Sequence, residues 1–260
     1  MRLGVGFNAF SGLEFLKPAI LSIRSLSHVV TVVYSRKAIT GEMGPVYMMD
    51  LLGDLKREGL VDYLIEIEHP VVCDPLTIQR EKRLKYEIAR LRCLHAGCSH
   101  FMGRDCDEFF RSVKLAPLLD AYSSADMVLC PVLDYVKTPL LRARGAGRLH
   151  VTAFQKAYLP YRPIRCPVLV DMSRTVDAKK TVVLPSSELI MHHMTGVRYN
   201  EEEMTRKFQG HTHYNLKGLG NAKKFAAQMS AASADTYEKV DDIFGIVSYW
   251  KNEFGVKYVK

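Results

Sequence analysis

Apolar positions fall along this chain in two alternating rhythms. Short β-branched or apolar runs predict strands at Leu3–Phe7, His28–Tyr34, Val61–Ile67, His100–Gly103 and Met127–Val132. Between them, helical spacing predicts helices at Leu13–Leu26, Val46–Glu58, Arg80–Ala96 and Lys114–Tyr122. In the third of these, Leu84, Ile88 and Leu91 share roughly one helical face. Strand followed by helix, repeated, predicts an α/β fold with crossover connections and an open, twisted, mostly parallel sheet. From about residue 134 the rhythm breaks. Leu140–His150 is basic and Gly-containing and reads as a loop or bent strand. Cys166–Met172 and Thr181–Leu184 read as further strands, and Glu188–Arg198 as an extended segment. Glu201–Phe208, Ala222–Ala234 and Asp241–Tyr249 read as small helices. With no internal repeat and no clear linker, a single domain over residues 1–260 is expected.

The fourth predicted strand runs straight into Arg104-Asp105-Cys106-Asp107-Glu108-Phe109-Phe110. It therefore delivers two carboxylates to its C-terminal edge, where open α/β sheets bind ligands. In an extended segment, residues two apart project the same way, so both carboxylates can converge on one centre. Hard oxygen ligands of this kind suit Mg²⁺ or Mn²⁺ shared with substrate phosphates. The first helix begins near Ser11 at the same edge, and helix N-termini bind phosphate. Plainer readings stand beside these. Asp105–Glu108 also has the composition of a solvated turn that caps the next helix. Arg80-Glu81-Lys82-Arg83 and Lys85 read as a solvated helix face, and His211-Thr212-His213 as loop.

Composition narrows the class. At 260 residues, 48% hydrophobic and 25% charged, the chain suits a soluble globular protein with one sizeable core. No apolar run approaches the roughly 18–20 residues of a membrane span. The opening Met1–Phe7 is too short and strand-like for a signal peptide, so a cytoplasmic location is expected. Six scattered cysteines read as reduced thiols, because the spacing of Cys93, His95, Cys98, His100 and Cys106 is too loose for zinc. A net charge of +8 favours an anionic partner. Arg142, Arg144, Arg148, Lys156, Arg162 and Arg165, interleaved with Phe154, Tyr158 and Tyr161, have the composition of a nucleic-acid groove; an anionic glycan or plain solvation explains the same charges.

Three segments together resemble the nucleotide-sugar-dependent glycosyltransferases of the GT-A fold, in their family 2-like form. They are the first strand ending in Phe7-Asn8-Ala9, the basic helix and strand leading into Asp105-Cys106-Asp107-Glu108-Phe109, and Met191-His192-His193-Met194-Thr195-Gly196-Val197-Arg198. The resemblance implies a Rossmann-like sheet flanked by helices, with small C-terminal helices. Residues 1–133 would be the nucleotide-sugar-binding half, and 134–260 the acceptor side. The donor would be a nucleoside-diphosphate sugar, UDP-linked first of all. Asp105 and Asp107 would hold Mn²⁺ or Mg²⁺, with Asp107 the stronger ligand, and one of His192 and His193 would complete the coordination. Arg198, Arg90 or Lys82 would face the phosphates, and Phe7, Asn8 and Ala9 the nucleoside. Glu188, with Asp171 as alternative, would deprotonate the acceptor hydroxyl, carried by a modified DNA base or an anionic glycan. The Glu-Asp pair common in inverting members is missing, which leaves the stereochemistry open. A nucleotidyltransferase would open with a Gly/Arg/Lys-rich loop where this chain has Asn8-Ala9-Phe10-Ser11-Gly12. A non-catalytic nucleic-acid-binding protein would explain the charge but not the carboxylates.

Overall fold

The computed structural model of the chain describes residues 1–38, 41, 43–68, 75–145, 147, 149–162, 166–198 and 237–254. The helices expected at 201–208 and 222–234, and His211, Thr212, His213, Arg148, Arg165 and Cys73, lie outside them.

In chain order the strands are β1 (Leu3–Ala9), β2 (Ser27–Tyr34), β3 (Tyr63–Glu66), β4 (His100–Asp105), β5 (Glu108–Phe109) and β6 (Met127–Lys137). They continue with β7 (Leu141–Ala143), β8 (His150–Lys156), β9 (Thr181–Val183), β10 (Met191–Val197) and β11 (Tyr237–Lys239). The helices are α1 (Leu16–Ile23), α2 (Met48–Arg57), α3 (Pro75–His95), α4 (Ser112–Ala121) and α5 (Ile246–Phe254). The main sheet runs β3-β2-β1-β4-β8-β6, with β3, β2, β1 and β4 parallel and β8 antiparallel to both its neighbours. The expected α/β class and open sheet are what the chain adopts, but the sheet is mixed rather than mostly parallel. β1 to β4 run parallel, and among the described residues the strands after them add as many antiparallel pairings as there are parallel ones.

The residues of β1 explain its central place. Leu3, Val5, Phe7 and Ala9 are buried in the same core as Leu13, Leu16, Ala19 and Ile20 of the α1 region. The alternate positions are glycines, and α3 lies against them. A Cβ on Gly4 would stand 2.4 Å from Cys93 Cβ, and one on Gly6 would stand 2.5 Å from Ala89 Cβ. The Leu-Gly-Val-Gly-Phe alternation thus gives one face to apolar side chains and the other to close helix approach. Because β2 and β4 flank β1 on opposite sides, the strand order reverses between β1 and β4. That reversal is where ligand crevices open in sheets of this type.

Strand β6 divides the molecule. Its first half pairs with β8 and β9 in the main sheet, while Val132–Lys137 runs on to pair with β10 and β7. β10 also pairs with β5, so His193 lies in register with Glu108 on one side and Asp134 on the other. The C-terminal helix is tied back by the fully buried Trp250, whose Nε1 donates to the Glu14 carbonyl at 2.9 Å; its ring lies 4.8 Å from that of Phe15.

Three segments differ from expectation. The helix expected at Asp241–Tyr249 spans Ile246–Phe254 instead. β6 continues five residues past Val132. Cys166–Met172 is not a strand: Val170 makes a single bridge to His150, and Asp171 turns the chain into a 3-10 turn at Met172–Arg174 by accepting from the Ser173 amide at 3.0 Å. No described helix is long and apolar enough to cross a membrane.

Candidate active site

Asp105 closes β4 opposite Asn8 of β1, at the crevice between the two strands. Its Oδ1 accepts from Asn8 Nδ2 at 3.2 Å and from the Tyr86 hydroxyl at 2.5 Å. Its Oδ2 is 3.0 Å from both Lys82 Nζ and Arg174 Nη2. Arg174 is the centre of a larger group: it also donates to both oxygens of the buried Glu108 and stands 3.3 Å from Asp171 Oδ2. Arg104 lies flat over Phe110, 3.6 Å from the ring centre, and 3.8 Å from Glu108. Three carboxylates therefore meet three cations. Burial alone would raise the Asp105 pKa, but Lys82 and Arg174 overturn this and hold it below the usual carboxylate range. Burial would likewise lower Lys82, and Asp105 and Asp171 instead hold its ammonium above the ordinary value. Asp105 and Lys82 are thus each held in their charged form by the other and by their neighbours.

Asp107 has different company. Cys106 and Asp107 form a tight turn between β4 and β5, so the two carboxylates have different partners, although Asp107 stays close enough to oppose the ionisation of Asp105. Asp107 Oδ2 accepts from Arg198 Nη2 at 2.9 Å, and its Oδ1 lies 3.8 Å from His193 Nε2. The Met194 amide donates to the Asp107 carbonyl at 2.8 Å and pins this turn to β10. His193 Nδ1 is 3.0 Å from Asp134 Oδ1. Arg198 is buried and also stands 3.4 Å from Glu14 Oε1, on the turn that follows β1. Only one of the two adjacent histidines faces Asp107, as the alternation of a strand requires. His192 is buried instead against Tyr135 and Phe244, with Nδ1 2.9 Å from the Tyr135 hydroxyl. Burial, with Arg142 and Arg111, pushes its pKa down to about 4.

The remaining expected residues separate into those near the crevice and those far from it. Phe7 and Ala9 are buried in the α1-side core, and Asn8 reaches Asp105. Arg90 is not at the phosphate side: its guanidinium is buried against Glu87 and the Ala157 carbonyl. Glu188 is exposed and accepts from the Tyr122 hydroxyl at 3.2 Å. Ser123, next to Tyr122, meets His100 at the start of β4, so Glu188 stands at the sheet edge opposite Asp105. Of the mixed basic and aromatic set, Phe154 and Tyr161 are core residues and Arg142 pairs with Glu238 at 2.7 Å, while Arg148 and Arg165 lie outside the described residues. Residues that the sequence did not single out are Tyr86, Arg174, Glu14 and Asp134, and Glu108 reads in sequence only as part of a turn. The five described cysteines are free.

Among the described residues, no set of three His, Cys, Asp or Glu side chains converges to hold a metal ion. Two do approach in the right way. Ligands each about 2.1 Å from one ion stand at most about 4.2 Å apart, and Asp107 Oδ1 and His193 Nε2 are within that. An aspartate behind the far nitrogen of a histidine is the usual support of a metal-bound imidazole. Asp107 and His193 would hold a divalent ion between them after closing from 3.8 Å to the roughly 3 Å that separates adjacent ligands of an octahedral ion. Asp105 does not fit, since donors and cations occupy both of its oxygens.

No family model matches the chain, and no curated protein matches it. Among solved structures it is similar to S. aureus TarS residues 1–349, at 10% identity over 98% of this chain and 79% of that chain, with a TM-score of 0.46. The same fragment in complex with UDP-GlcNAc matches at 10% identity over 88% of this chain and 71% of that one, TM-score 0.46. GalNAc-T7 with UDP, GalNAc and Mn²⁺ matches at 9% identity over 98% of this chain and 56% of that one, TM-score 0.43. The chain spans 43% of a longer TarS structure. Likeness of this degree carries neither residues nor activity across to this chain.

Proposed function

We propose that the chain is a GT-A-type glycosyltransferase that moves a sugar from a nucleoside-diphosphate sugar, UDP-linked first of all, to a hydroxyl acceptor. The observation that carries this is the meeting of Asp107, His193 and Arg198 beside the β1–β4 crevice, two ligand types and a fixed cation at one edge of the sheet. Mn²⁺ or Mg²⁺ bound by Asp107 and His193 would supply Lewis-acid neutralisation of the departing diphosphate. Arg198, held in place by Glu14 and by the Met194 and Val197 carbonyls, adds positive charge without reorganising. The saturated group around Asp105 keeps Asn8 and the end of β4 in place and so shapes the nucleoside side of the crevice. Glu188, at the opposite edge, takes no part. The excess of Lys and Arg favours an anionic acceptor, a glycan or a nucleic acid.

The test is hydrolysis and thermal stabilisation across a panel of nucleotide sugars, with Mn²⁺ and with chelator. One donor should give a metal-dependent signal that Asp107→Ala abolishes. A signal that survives both chelator and Asp107→Ala would refute the ion-site reading, and silence across the panel would refute the donor reading.

A further inference from the structure

We propose that Asp134 is the positioning residue that fixes the tautomer and direction of His193, a proposal that rests on the donor-site reading above. Three constraints lead to it. The Met194 amide, bonded to the Asp107 carbonyl, sets the distance between β10 and the turn but leaves the His193 ring free to rotate. The neighbouring His192 is locked the other way by Tyr135, so β10 presents a single imidazole. Asp134 stands in register with His193 and meets Nδ1 at 3.0 Å. It can do so only because β6 runs on beyond the main sheet alongside β10.

The chemistry follows from the two ring nitrogens. A neutral imidazole carries one N–H and one lone pair, and whichever nitrogen donates fixes the other as acceptor. A carboxylate at Nδ1 keeps the proton there. The lone pair then sits on Nε2, on the side of Asp107. The same hydrogen bond holds the plane of the ring. His193 and Asp134 are both partly open to solvent, with side-chain exposures of 23% and 48%, so Asp134 contributes little to the core. Its partner is the imidazole, and its effect on an ion is exerted through that ring.

The experiment is a Mn²⁺ titration of the full chain in the presence of UDP, followed by electron paramagnetic resonance, with melting temperatures taken in parallel. Asp134→Ala should weaken Mn²⁺ about 10–100-fold and leave the melting temperature within a few degrees of wild type. Asp134→Asn, whose amide oxygen still accepts from Nδ1, should fall between the two, and it carries the test if the alanine variant folds poorly. Affinity unchanged in the Asp134 variants, with His193→Ala impaired, would overturn the positioning role and leave the donor site standing. Affinity unchanged in Asp107→Ala and His193→Ala would overturn both.

Discussion

Two aspartates one residue apart, Asp105 and Asp107, have been put to opposite uses. Asp105 has four donors and cations on its two oxygens, each within 3.2 Å. Asp107 meets one guanidinium at 2.9 Å and an imidazole nitrogen at 3.8 Å, at a tight turn held by β10. A carboxylate whose oxygens are fully engaged cannot bind a further cation without losing partners, so Asp105 serves the architecture. Asp107 instead joins Arg198 and His193, on the side of the turn that faces β10. The difference arises from backbone conformation: Asp105 is the last extended residue, and the turn at Cys106 and Asp107 swings the second carboxylate toward β10.

Breaking the first half of this comparison should have the largest effect. Arg174→Ala leaves the buried Glu108 without its closest cation and Asp105 with Lys82 alone, and removal of one partner from a buried ion pair costs about 3–5 kcal/mol. The melting temperature should fall by on the order of 10 °C, read by calorimetry. If it moves by only a degree or two, the group is not structural. The second half is broken by Asp107→Ala, which should cost transfer about 10²–10³-fold, in line with the loss of other preorganised electrostatic groups. Its stability should change less than that of Arg174→Ala, because Arg198 keeps Glu14.

Gly6→Ala sharpens the comparison by moving the floor of the crevice without touching either carboxylate. The new Cβ would be 2.5 Å from Ala89 Cβ, and overpacking of this kind costs about 1–3 kcal/mol. Denaturant unfolding should report that loss. The smallest effect is a pH dependence at the other end of β4. Burial, and then Lys156, push the His100 pKa down to about 4, against about 6.5 for an unperturbed histidine. Its ring nitrogens meet Ser99 and the Ser123 carbonyl. Protonation therefore favours the unfolded chain: the stability linked to His100 is complete above about pH 6.5 and is lost as pH falls toward 4. About 1–2 kcal/mol should disappear over that window after allowance for partial solvent screening, and His100→Gln should flatten the slope of Tm against pH.

The alternating pattern made the first two-thirds of the fold legible, since strand and helix periods differ and the glycines of β1 sit at alternate positions. The carboxylates and the histidine pair were legible as chemistry. Their division of labour was not, because two residues apart means the same direction only while the chain stays extended. Arg174 was hidden for another reason: in sequence, a buried arginine looks like any surface charge. Asp134 lies just beyond Val132, where the expected strand ends, although Leu133, Tyr135 and Val136 continue the apolar run. Order along the chain is the one sequence feature that points to Glu188, and it misleads. β10 runs parallel to β6, so the residues before it lie toward the edge where β6 begins, away from Asp105.

The most direct test compares Asp105→Asn with Asp107→Asn by Mn²⁺ affinity in the presence of UDP, with the melting temperature of each. Asp107→Asn should lose the ion and keep most of its stability, while Asp105→Asn should keep the ion and melt several degrees lower. An Asp105→Asn protein that loses Mn²⁺ as completely as Asp107→Asn, with an unchanged melting temperature, would contradict the division between the two.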